Sequence, residues 1–582
     1  MIKNSSKADT LHKPFLFFIL VLFSSVVSAQ VLPVKNYPKG YFIYPVNARI
    51  GLSANFGELR PNHYHMGLDC RTNQVVNRPV KAAADGYIAR VSVAPFGFGQ
   101  AIYINHPNGL TTLYGHLNKF YPELEKYVTA KQYELESWQV SLDLPAGLFP
   151  VKKGQFIAYS GNTGGSQGPH VHFEIRDTKT DKVLNPLLFG FPLPDDVPPT
   201  ILRLYMYDRC KSTYSQSPQL LGIKKVNGKY TTIQKVISVH TDKISFGISA
   251  HDQQSGSPNP NGIYEAVIYK DGLPLSGFQL DSISYNETRY LNAHIDYKTR
   301  AAGGPYIEHL SRLPGYPEGV YKDINGDGVI ELDDDSIHQI KIVVKDPNGN
   351  SSHLEFEIKK GLIVETGLQK DASYFQQKEF HPGFVNIFES TNLQLYLSPQ
   401  ALYDSVAFTH FEKNSITPNS FSTLHSVQSG LVPVHDYFTI KIKPNKPVDE
   451  HLAGKMLLKR TWNGKSEWVK AKQEGDWYSA KFRAFGNFEL IADDEPPVIG
   501  GFTNNAILSH SRSIVFTPRD NSDELKNFRA ELDGKWLRFT NDKGRSFIYN
   551  FDERCPPGKH ELKITVEDEA GNVAEKTLHF TR

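Results

Sequence analysis

Short runs rich in β-branched and aromatic residues recur along most of the chain, and glycine and proline separate them. Residues 86–93 and 101–105 are two such runs, each of strand length. Runs of this length and composition, bounded by turn residues, are typical of strands. Asn108 and Gly109 lie between 101–105 and 110–114, and they predict a hairpin turn because both residues tolerate a positive φ. We therefore expect a mostly β protein in which helices play a small part.

Two pairs of similar segments indicate how the chain is divided. Residues 195–201 and 493–499 share the pattern Asp-Asp-x-Pro-Pro-x-Ile, and residues 343–350 and 564–572 both end in an Asp…Gly-Asn turn. The prolines favour extended connectors. Because a similar opening segment and a similar closing turn occur twice, we predict two related β-sandwiches. The predicted organisation is a signal peptide (1–29), a first domain (30–195) with an insertion (121–150), an immunoglobulin-like β-sandwich (196–361), a different β-rich module (362–492) and a second immunoglobulin-like β-sandwich (493–582).

The N-terminal segment has the features of a secretory signal. Lys3, Lys7 and Lys13 precede the apolar run 15–23, and small residues end at Ala29, where cleavage is expected. The apolar run is shorter than the span of about 20 residues that a transmembrane helix needs, although an uncleaved anchor is an alternative. We expect an extracytoplasmic protein, in the periplasm, in the cell envelope or secreted, without stable membrane insertion after cleavage.

Composition narrows the functional classes further. The 582 residues contain 64 Lys+Arg against 62 Asp+Glu, so the chain lacks the positive charge that nucleic-acid binding requires. Aromatic residues make up 12% of the chain, which favours sheets over helical bundles. The three cysteines, Cys70, Cys210 and Cys555, are far apart and allow at most one internal disulfide.

Four histidines and one aspartate of the first domain are the candidate chemistry. The alternating sequence around His170 and His172 predicts a strand, which places both imidazoles on one face. Together with His65 and Asp69 they can converge on one zinc ion, and a catalytic zinc needs only three protein ligands. With His116, two imidazoles then remain for proton transfer or oxyanion stabilisation. Taken singly, each histidine is also compatible with an ordinary surface or hydrogen-bonded role.

These motifs, together with the Ser-Gly-Asn-Thr-Gly segment 160–164, resemble the lysostaphin-type (LytM-like) family of zinc metalloendopeptidases, which cleave peptides of bacterial peptidoglycan. The similarity extends from about residue 45 to residue 185. The resemblance implies three zinc ligands, His65, Asp69 and His172, and two catalytic imidazoles, His116 and His170. It also implies an antiparallel β-sheet peptidase domain.

The function that the resemblance implies is zinc-dependent hydrolysis of peptide bonds in peptidoglycan, with peptidoglycan peptides as binding partners. The insertion 121–150 is expected to shape the substrate groove. Two alternatives stay open: a non-catalytic regulator that binds a partner in the same groove, and an adhesin whose main work is done by residues 196–582. In either case the C-terminal modules would contact other proteins of the cell envelope.

An acidic loop in the second module predicts a different metal. Oxygen-bearing side chains occupy positions 1, 3, 5, 9 and 12 of this loop, which are Asp323, Asn325, Asp327, Glu331 and Asp334. Position 6 is Gly328. This is the spacing of a calcium loop, although position 12 is Asp and the flanks are β-rich. We hypothesise weak calcium binding that orders this loop and has no part in catalysis, and an acidic hairpin tip held by Asx turns is the alternative.

Overall fold

Strands account for 47% of the structure and helices for 7%, which confirms the mostly β prediction. The computed structural model describes residues 31–33, 35–46, 51–317, 319–362, 378–522 and 525–582. The predicted signal peptide, 1–29, lies outside the described residues. Contacts divide the chain into two units, Met1–Val34 and Lys35–Arg582. Among the described residues, no helix is both long and apolar enough to cross a bilayer.

The first domain is built on one twelve-stranded antiparallel sheet, whose main path runs β1-β4-β12-β8-β7-β6-β10. Its elements are β1 (Leu52–Ala54), β2 (Leu59–Arg60), β3 (His63–Tyr64), β4 (Leu68–Arg71), β5 (Pro79–Lys81), β6 (Gly86–Val93), β7 (Gln100–Asn105), β8 (Leu110–Phe120), α1 (Pro122–Glu134), β9 (Val140–Asp143), β10 (Pro150–Val151), β11 (Phe156–Ser160), β12 (His170–Asp177) and β13 (Val183–Leu184). The hairpin predicted at Gly109 joins β7 to β8, and this glycine has a φ of 80°.

Successive side chains of β4 and β12 point alternately into the core and toward the candidate site. Val171 and Phe173 of β12 are fully buried in the core, and so are Leu68 and Cys70 of β4. Successive strand residues point to opposite faces of a sheet, so the residues between them face the other side. Asp69 is one of these, and the histidines of β12 share its face.

The second module, residues 196–361, contains a six-stranded and a seven-stranded sheet. Its elements are β14 (Thr200–Asp208), β15 (Gln219–Leu221), β16 (Ile223–Val226), β17 (Lys229–Val239), β18 (Lys243–Gln253), β19 (Pro260–Asn261), β20 (Glu265–Lys270), β21 (Leu273–Gln279), β22 (Ser282–Ile283), α2 (Leu291–His294), α3 (Tyr297–Ala301), β23 (Glu308–His309), β24 (Tyr321–Asp323), β25 (Ile330–Glu331), β26 (Ile337–Lys345) and β27 (Ser351–Lys360). Strand β22 pairs with β13 and thereby joins the sheet of the first domain.

The third module, whose described part is residues 378–492, has two five-stranded sheets and one two-stranded sheet. Its elements are β28 (Glu379–Phe380), β29 (Asn386–Glu389), β30 (Leu393–Leu397), β31 (Val406–Ala407), β32 (His410–Lys413), β33 (Leu424–Val427), β34 (Pro433–Ile442), α4 (Glu450–Ala453), β35 (Met456–Trp462), β36 (Lys465–Lys470), β37 (Lys472–Glu474), β38 (Trp477–Ala484) and β39 (Gly486–Ala492).

The fourth module, residues 493–582, has a five-stranded sheet and a two-stranded sheet. Its strands are β40 (Ala506–Ile507), β41 (Ser513–Phe516), β42 (Leu525–Leu532), β43 (Lys535–Trp536), β44 (Phe547–Asn550), β45 (Lys559–Asp568) and β46 (Val573–Thr581).

The fourth module packs on the helix of the first domain. The Tyr133 ring of α1 meets the Trp536 ring edge to face at 5.1 Å, and Arg538 donates a hydrogen bond to the Gln132 side chain at 2.7 Å. The segment 121–150, for which the sequence predicts a position at the substrate groove, therefore has its helix against another module.

Candidate active site

The candidate site is assembled from three neighbouring strands and one loop. In the sheet register His172 of β12 stands opposite Asp69 of β4 on one side and opposite Gly115 of β8 on the other. His116 follows Gly115 directly. His65 lies in the loop between β3 and β4. Pairing of β4, β12 and β8 thus brings together residues that are up to 107 positions apart in the chain.

Three predicted ligands form a tight triangle of donor atoms. His65 Nε2 lies 2.9 Å from Asp69 Oδ1 and 3.1 Å from His172 Nδ1, and His172 Nδ1 lies 3.1 Å from Asp69 Oδ1. Ligand atoms about 2.0–2.1 Å from a tetrahedral zinc ion are about 3.3 Å apart. All three residues are buried, so the residues present fit a zinc site of two imidazoles and a carboxylate.

The two imidazoles are held in the tautomers that a metal requires. His65 Nδ1 lies 2.7 Å from the backbone oxygen of Asn55, and His172 Nε2 lies 2.9 Å from Glu174 Oε1. Because these partners accept hydrogen bonds, we assign the ring proton to the nitrogen that faces them. The nitrogens that face each other and Asp69 then carry lone pairs. Two lone pairs and a carboxylate oxygen at such distances repel one another unless a cation or a proton lies between them.

Glu174 anchors the site from behind. Its carboxylate is completely buried and accepts hydrogen bonds from Arg176 Nε at 2.7 Å and from the Tyr285 hydroxyl at 2.5 Å, besides the one from His172. Although burial raises the pKa of Glu174, the charge of Arg176 and these hydrogen bonds lower it overall. Glu174 is therefore an ionised acceptor that orients the ring of His172.

The net pKa shifts at the triangle favour an ionised Asp69 beside a protonated His172. Burial raises the pKa of Asp69, but the neighbouring imidazoles outweigh it and hold that pKa well below its ordinary range. Burial lowers the pKa of His172, but hydrogen bonds and charges from Asp69 and Glu174 raise it overall to about 9. The site is a strong acceptor of positive charge, which a proton or a metal ion can supply.

The two other predicted histidines lie beside the triangle. His116 Nδ1 lies 2.8 Å from the backbone oxygen of Thr163, and His170 Nδ1 lies 2.8 Å from that of Gly168. Their rings are 4.8 Å apart, and His170 Nε2 lies 3.2 Å from Asp69 Oδ1. Burial, with the neighbouring imidazoles, lowers the pKa of His116 to about 3, so its ring is neutral at neutral pH.

The backbone at His116 adopts a conformation that non-glycine residues seldom take. Its φ is 59°, in the left-handed region, and its amide donates a hydrogen bond to the Phe98 oxygen at 2.8 Å. Such strain costs about 1–3 kcal/mol and persists where the surroundings enforce it. Here it places the imidazole next to His170 and His172.

Sequence reasoning missed some supporting residues. It put Glu174 on the face of the two histidines but gave it no role, and it did not single out Asn55, Arg176 or Tyr285. Tyr285 is 111 positions from Glu174 and carries no local signal. His63, in contrast, is exposed, and its Nδ1 lies 2.9 Å from the Pro61 oxygen.

Acidic side chains of the loop 323–335 pair with other groups of the chain instead of converging on one point. Asp323 pairs with Arg312 at 2.5 Å, Glu331 pairs with Lys243 at 2.6 Å, and the Asn325 amide donates to a backbone oxygen. The groups of three or more clustered potential ligands among the described residues do not include this loop. Asx turns hold Asp327 and Asp334, as in the acidic-turn alternative, so calcium binding by this loop is not supported.

Comparison with known proteins assigns the domain. Peptidase family M23 matches residues 63–133 and 149–186. The first domain is a peptidase family M23 domain. The match covers all five candidate site residues of the M23 domain, and its break falls within the segment 121–150. A second match, to a Zu5-like domain, covers residues 377–493 and so falls on the third module.

Relatives of the M23 domain include bacterial peptidases. An uncharacterized metalloprotease of Haemophilus influenzae is 32% identical over 163 residues, which are 26% of this chain and 28% of the relative. The DD-carboxypeptidase/endopeptidase Mpg of Neisseria meningitidis serogroup B is 30% identical over 158 residues, 27% of each protein. Lysostaphin of Staphylococcus simulans is 30% identical over 150 residues, 25% of this chain and 22% of the relative. The chain thus spans about a quarter of the length of these curated relatives.

Proposed function

We propose that the M23 domain is a zinc-dependent endopeptidase that hydrolyses peptide bonds of bacterial peptidoglycan. The observation that carries the proposal is the triangle of His65 Nε2, Asp69 Oδ1 and His172 Nδ1, with both imidazole lone pairs directed inward. Three protein ligands leave the fourth position of a tetrahedral zinc for water or substrate, as a catalytic site requires. In a closed structural site a fourth protein ligand would fill that position.

Bound zinc would supply Lewis acidity, which polarises a carbonyl oxygen and makes water more acidic. The protein's own part in the reaction is proton transfer and charge stabilisation by His116 and His170. Each donates from Nδ1 to a backbone oxygen, which fixes the ring and leaves Nε2 for the reaction. The Nδ1–H of His116 is held by the Thr163 oxygen, so its Nε2 carries the lone pair that can accept a proton from water. His170 lies nearer to Asp69, and in its imidazolium form its Nε2–H can donate a hydrogen bond to a developing oxyanion.

The substrate class rests on the relatives, among which are a DD-carboxypeptidase/endopeptidase, a peptidoglycan DD-endopeptidase and lysostaphin. Because peptidoglycan lies outside the cytoplasmic membrane, the proposal includes an extracytoplasmic location. Protein partners for the C-terminal modules stay a prediction from the sequence.

The proposal is tested on the full chain with zinc measured by atomic absorption and cleavage measured on defined muropeptides. We expect one zinc per chain and cleavage that a chelator abolishes and added zinc restores. His172→Ala should lose stoichiometric zinc, whereas His63→Ala, a matched change at an exposed histidine, should keep zinc and activity. Full zinc content in His172→Ala would refute the ligand assignment, and cleavage unaffected by chelator would refute zinc dependence.

The role of His116 is tested separately from metal binding. His116→Ala should keep its zinc and lose about 100- to 1,000-fold in cleavage rate, the usual cost of removing a proton-transfer or oxyanion group. Cleavage within a few-fold of wild type would contradict the assignment. A zinc-loaded wild-type chain that cleaves no muropeptide would favour the non-catalytic alternative.

A further inference from the structure

The repeated motifs of the second and fourth modules place acidic residues at equivalent points of the two modules. Asp195 is the residue just before the second module and Asp493 is the first residue of the fourth, and each lies three positions before a pair of prolines. Asp346 lies in the turn between β26 and β27, and Asp568 lies at the corresponding turn between β45 and β46. The peptidase function uses neither set.

Three carboxylates converge where the second module begins. Oxygen atoms of Asp195, Asp252 and Asp346 all lie within 4.8 Å of one another. Two oxygens bound to one calcium ion at about 2.3–2.6 Å are at most about 4.6–5.2 Å apart, so these oxygens can share one ion. Asp252 and Asp346 are buried, with 4% and 1% of their surfaces exposed. Burial of such a cluster without a cation is costly because like charges repel more strongly where water is excluded.

Two buried oxygen atoms at this point lack hydrogen-bond partners. They are Oδ1 of Asp252 and Oδ1 of Asn261. Asn261 is not part of the acidic cluster; it is 6% exposed and stands opposite Asp252 in the β18–β19 register. It lines the same cavity as Asp195 and Asp252, a space of about 30 Å³. Buried polar atoms are nearly always satisfied, so these oxygens indicate a ligand that accepts electron pairs.

The other oxygens of the cluster are held in place by the backbone. Asp346 Oδ1 accepts hydrogen bonds from the amides of Asn348 and Asn350, and its second oxygen accepts one from the Asn350 side chain. Asp195 Oδ1 accepts from the Val197 amide at 3.1 Å. The carboxylates are thus oriented before any ion binds.

The fourth module repeats the arrangement. Asp493, Asp520 and Asp568 form a second cluster with the same spacing limit, and Oδ2 of Asp493 is buried without a partner. The Asn572 side chain bonds both Asp568 and the Asp493 backbone oxygen. Asn350 makes the same two bonds, to Asp346 and to the Asp195 backbone oxygen.

Strand register shows that the two clusters are equivalent. Thr200, five residues after Asp195, pairs with His251, the residue before Asp252. Val498, five residues after Asp493, pairs with Arg519, the residue before Asp520. Asp252 and Asp520 therefore occupy equivalent positions in their two clusters.

We propose that Asp195, Asp252 and Asp346, together with Asn261, bind a divalent cation at the junction of the M23 domain and the second module, with Ca²⁺ as the ion whose chemistry fits. Oxygen ligands, three carboxylates among them, suit a hard divalent cation, and calcium accepts irregular sets that water completes to six to eight ligands. The cavity is also lined by Leu187 and Phe191 of the M23 domain, so the ion would stabilise the junction. Burial and the charges of Asp195 and Asp346 raise the pKa of Asp252 to about 7, as expected where a cation is needed.

Calcium titration of the full chain tests the proposal. The chain is stripped with EDTA, dialysed and titrated with Ca²⁺ alone by calorimetry, with Mg²⁺ in a parallel arm. We expect wild type to bind Ca²⁺ and to melt a few degrees higher in millimolar Ca²⁺ than in EDTA. Mg²⁺ should bind more weakly because it demands shorter bonds and octahedral geometry.

Variants locate the ion. Asp252→Asn should bind one calcium equivalent fewer than wild type, yet in EDTA it should melt no lower than wild type because it removes a repelling charge. Asp335→Asn, a matched change at an exposed aspartate of the same module, should bind as wild type does. No calcium binding by wild type with an unchanged melting curve, or undiminished binding by Asp252→Asn, would overturn the proposal. A lower melting temperature of Asp252→Asn in EDTA would also count against it, since that would indicate a structural hydrogen bond instead of a cation ligand.

Discussion

Replacing Glu174 by glutamine should weaken zinc binding without touching a zinc ligand. Three donors, from His172, Arg176 and Tyr285, converge on the two oxygens of this fully buried carboxylate. Glutamine offers one oxygen, and its amide nitrogen cannot accept, so at least one donor loses its partner. The substitution also removes the negative charge that makes the His172 ring a stronger ligand.

The expected loss of zinc affinity follows from the contact of Glu174 with His172, one of the proposed zinc ligands. Loss of an acceptor that orients a metal-bound histidine typically costs about 10- to 100-fold in metal affinity, or about 1.4–2.7 kcal/mol. Removing one partner of a buried ion pair typically costs about 3–5 kcal/mol in stability. We expect the lower end for Arg176, because this guanidinium also pairs with Asp181 at 3.0 Å.

Competition with a chromophoric chelator gives the zinc dissociation constant, and thermal unfolding in zinc-free buffer gives the stability. Asp181→Asn is the matched control, because it alters the same Arg176 from the exposed side and leaves the bond between Glu174 and His172 intact. Zinc affinity should stay within about two-fold of wild type in the control. Wild-type affinity in Glu174→Gln, or an equal loss in Asp181→Asn, would refute the reasoning.

Two further predictions concern the second module. Tyr285→Phe removes one hydrogen bond to an ionised acceptor and should lower the free energy of unfolding by about 1.5–3 kcal/mol, with a smaller loss of zinc affinity than Glu174→Gln; an unchanged urea midpoint would contradict it. In calcium-free buffer the raised pKa of Asp252, about 7, means that the folded chain keeps a proton which the unfolded chain releases near its ordinary pKa of 3.8. This contribution to stability is therefore complete below pH about 4 and is lost as pH rises to about 7, so urea midpoints should fall over that range in wild type and fall less in Asp252→Asn.

The sequence singled out five candidate site residues because each lies in a short motif, and the alternation in β12 predicted that His170 and His172 share a face. Their convergence could not be derived from periodicity, since it depends on β12 pairing with β4 and β8. The anchoring of His172 by a tyrosine of the second module is equally non-local.

The calcium hypothesis for the loop 323–335 is not supported by the structure, for a related reason. The spacing from Asp323 to Asp334 fits a calcium loop only if the chain turns every carboxylate inward. Here β24 and β25 hold the two ends in sheets, and cationic side chains from elsewhere neutralise Asp323 and Glu331. The carboxylates that do converge include Asp252, which has no motif in the sequence and is 57 residues from Asp195.

The second and fourth modules form hydrogen bonds with residues that orient the histidines of the candidate site. The Tyr285 hydroxyl bonds Glu174, which orients His172. On the other side of the triangle, the Asn55 side chain exchanges two hydrogen bonds with the backbone of Gly262, the residue after Asn261, and the Asn55 backbone oxygen holds His65.

From the fourth module, Asp542 accepts a hydrogen bond from the Gly164 amide at 2.8 Å. Gly164 follows Thr163, whose backbone oxygen fixes His116. His65 and His172 are therefore oriented through residues that the second module contacts, and His116 is oriented through Thr163, the neighbour of a residue that the fourth module contacts. A fragment ending near residue 195 would keep all five site residues and lose these contacts, so zinc affinity and cleavage measured on the fragment should fall below those of the full chain even if its fold is intact.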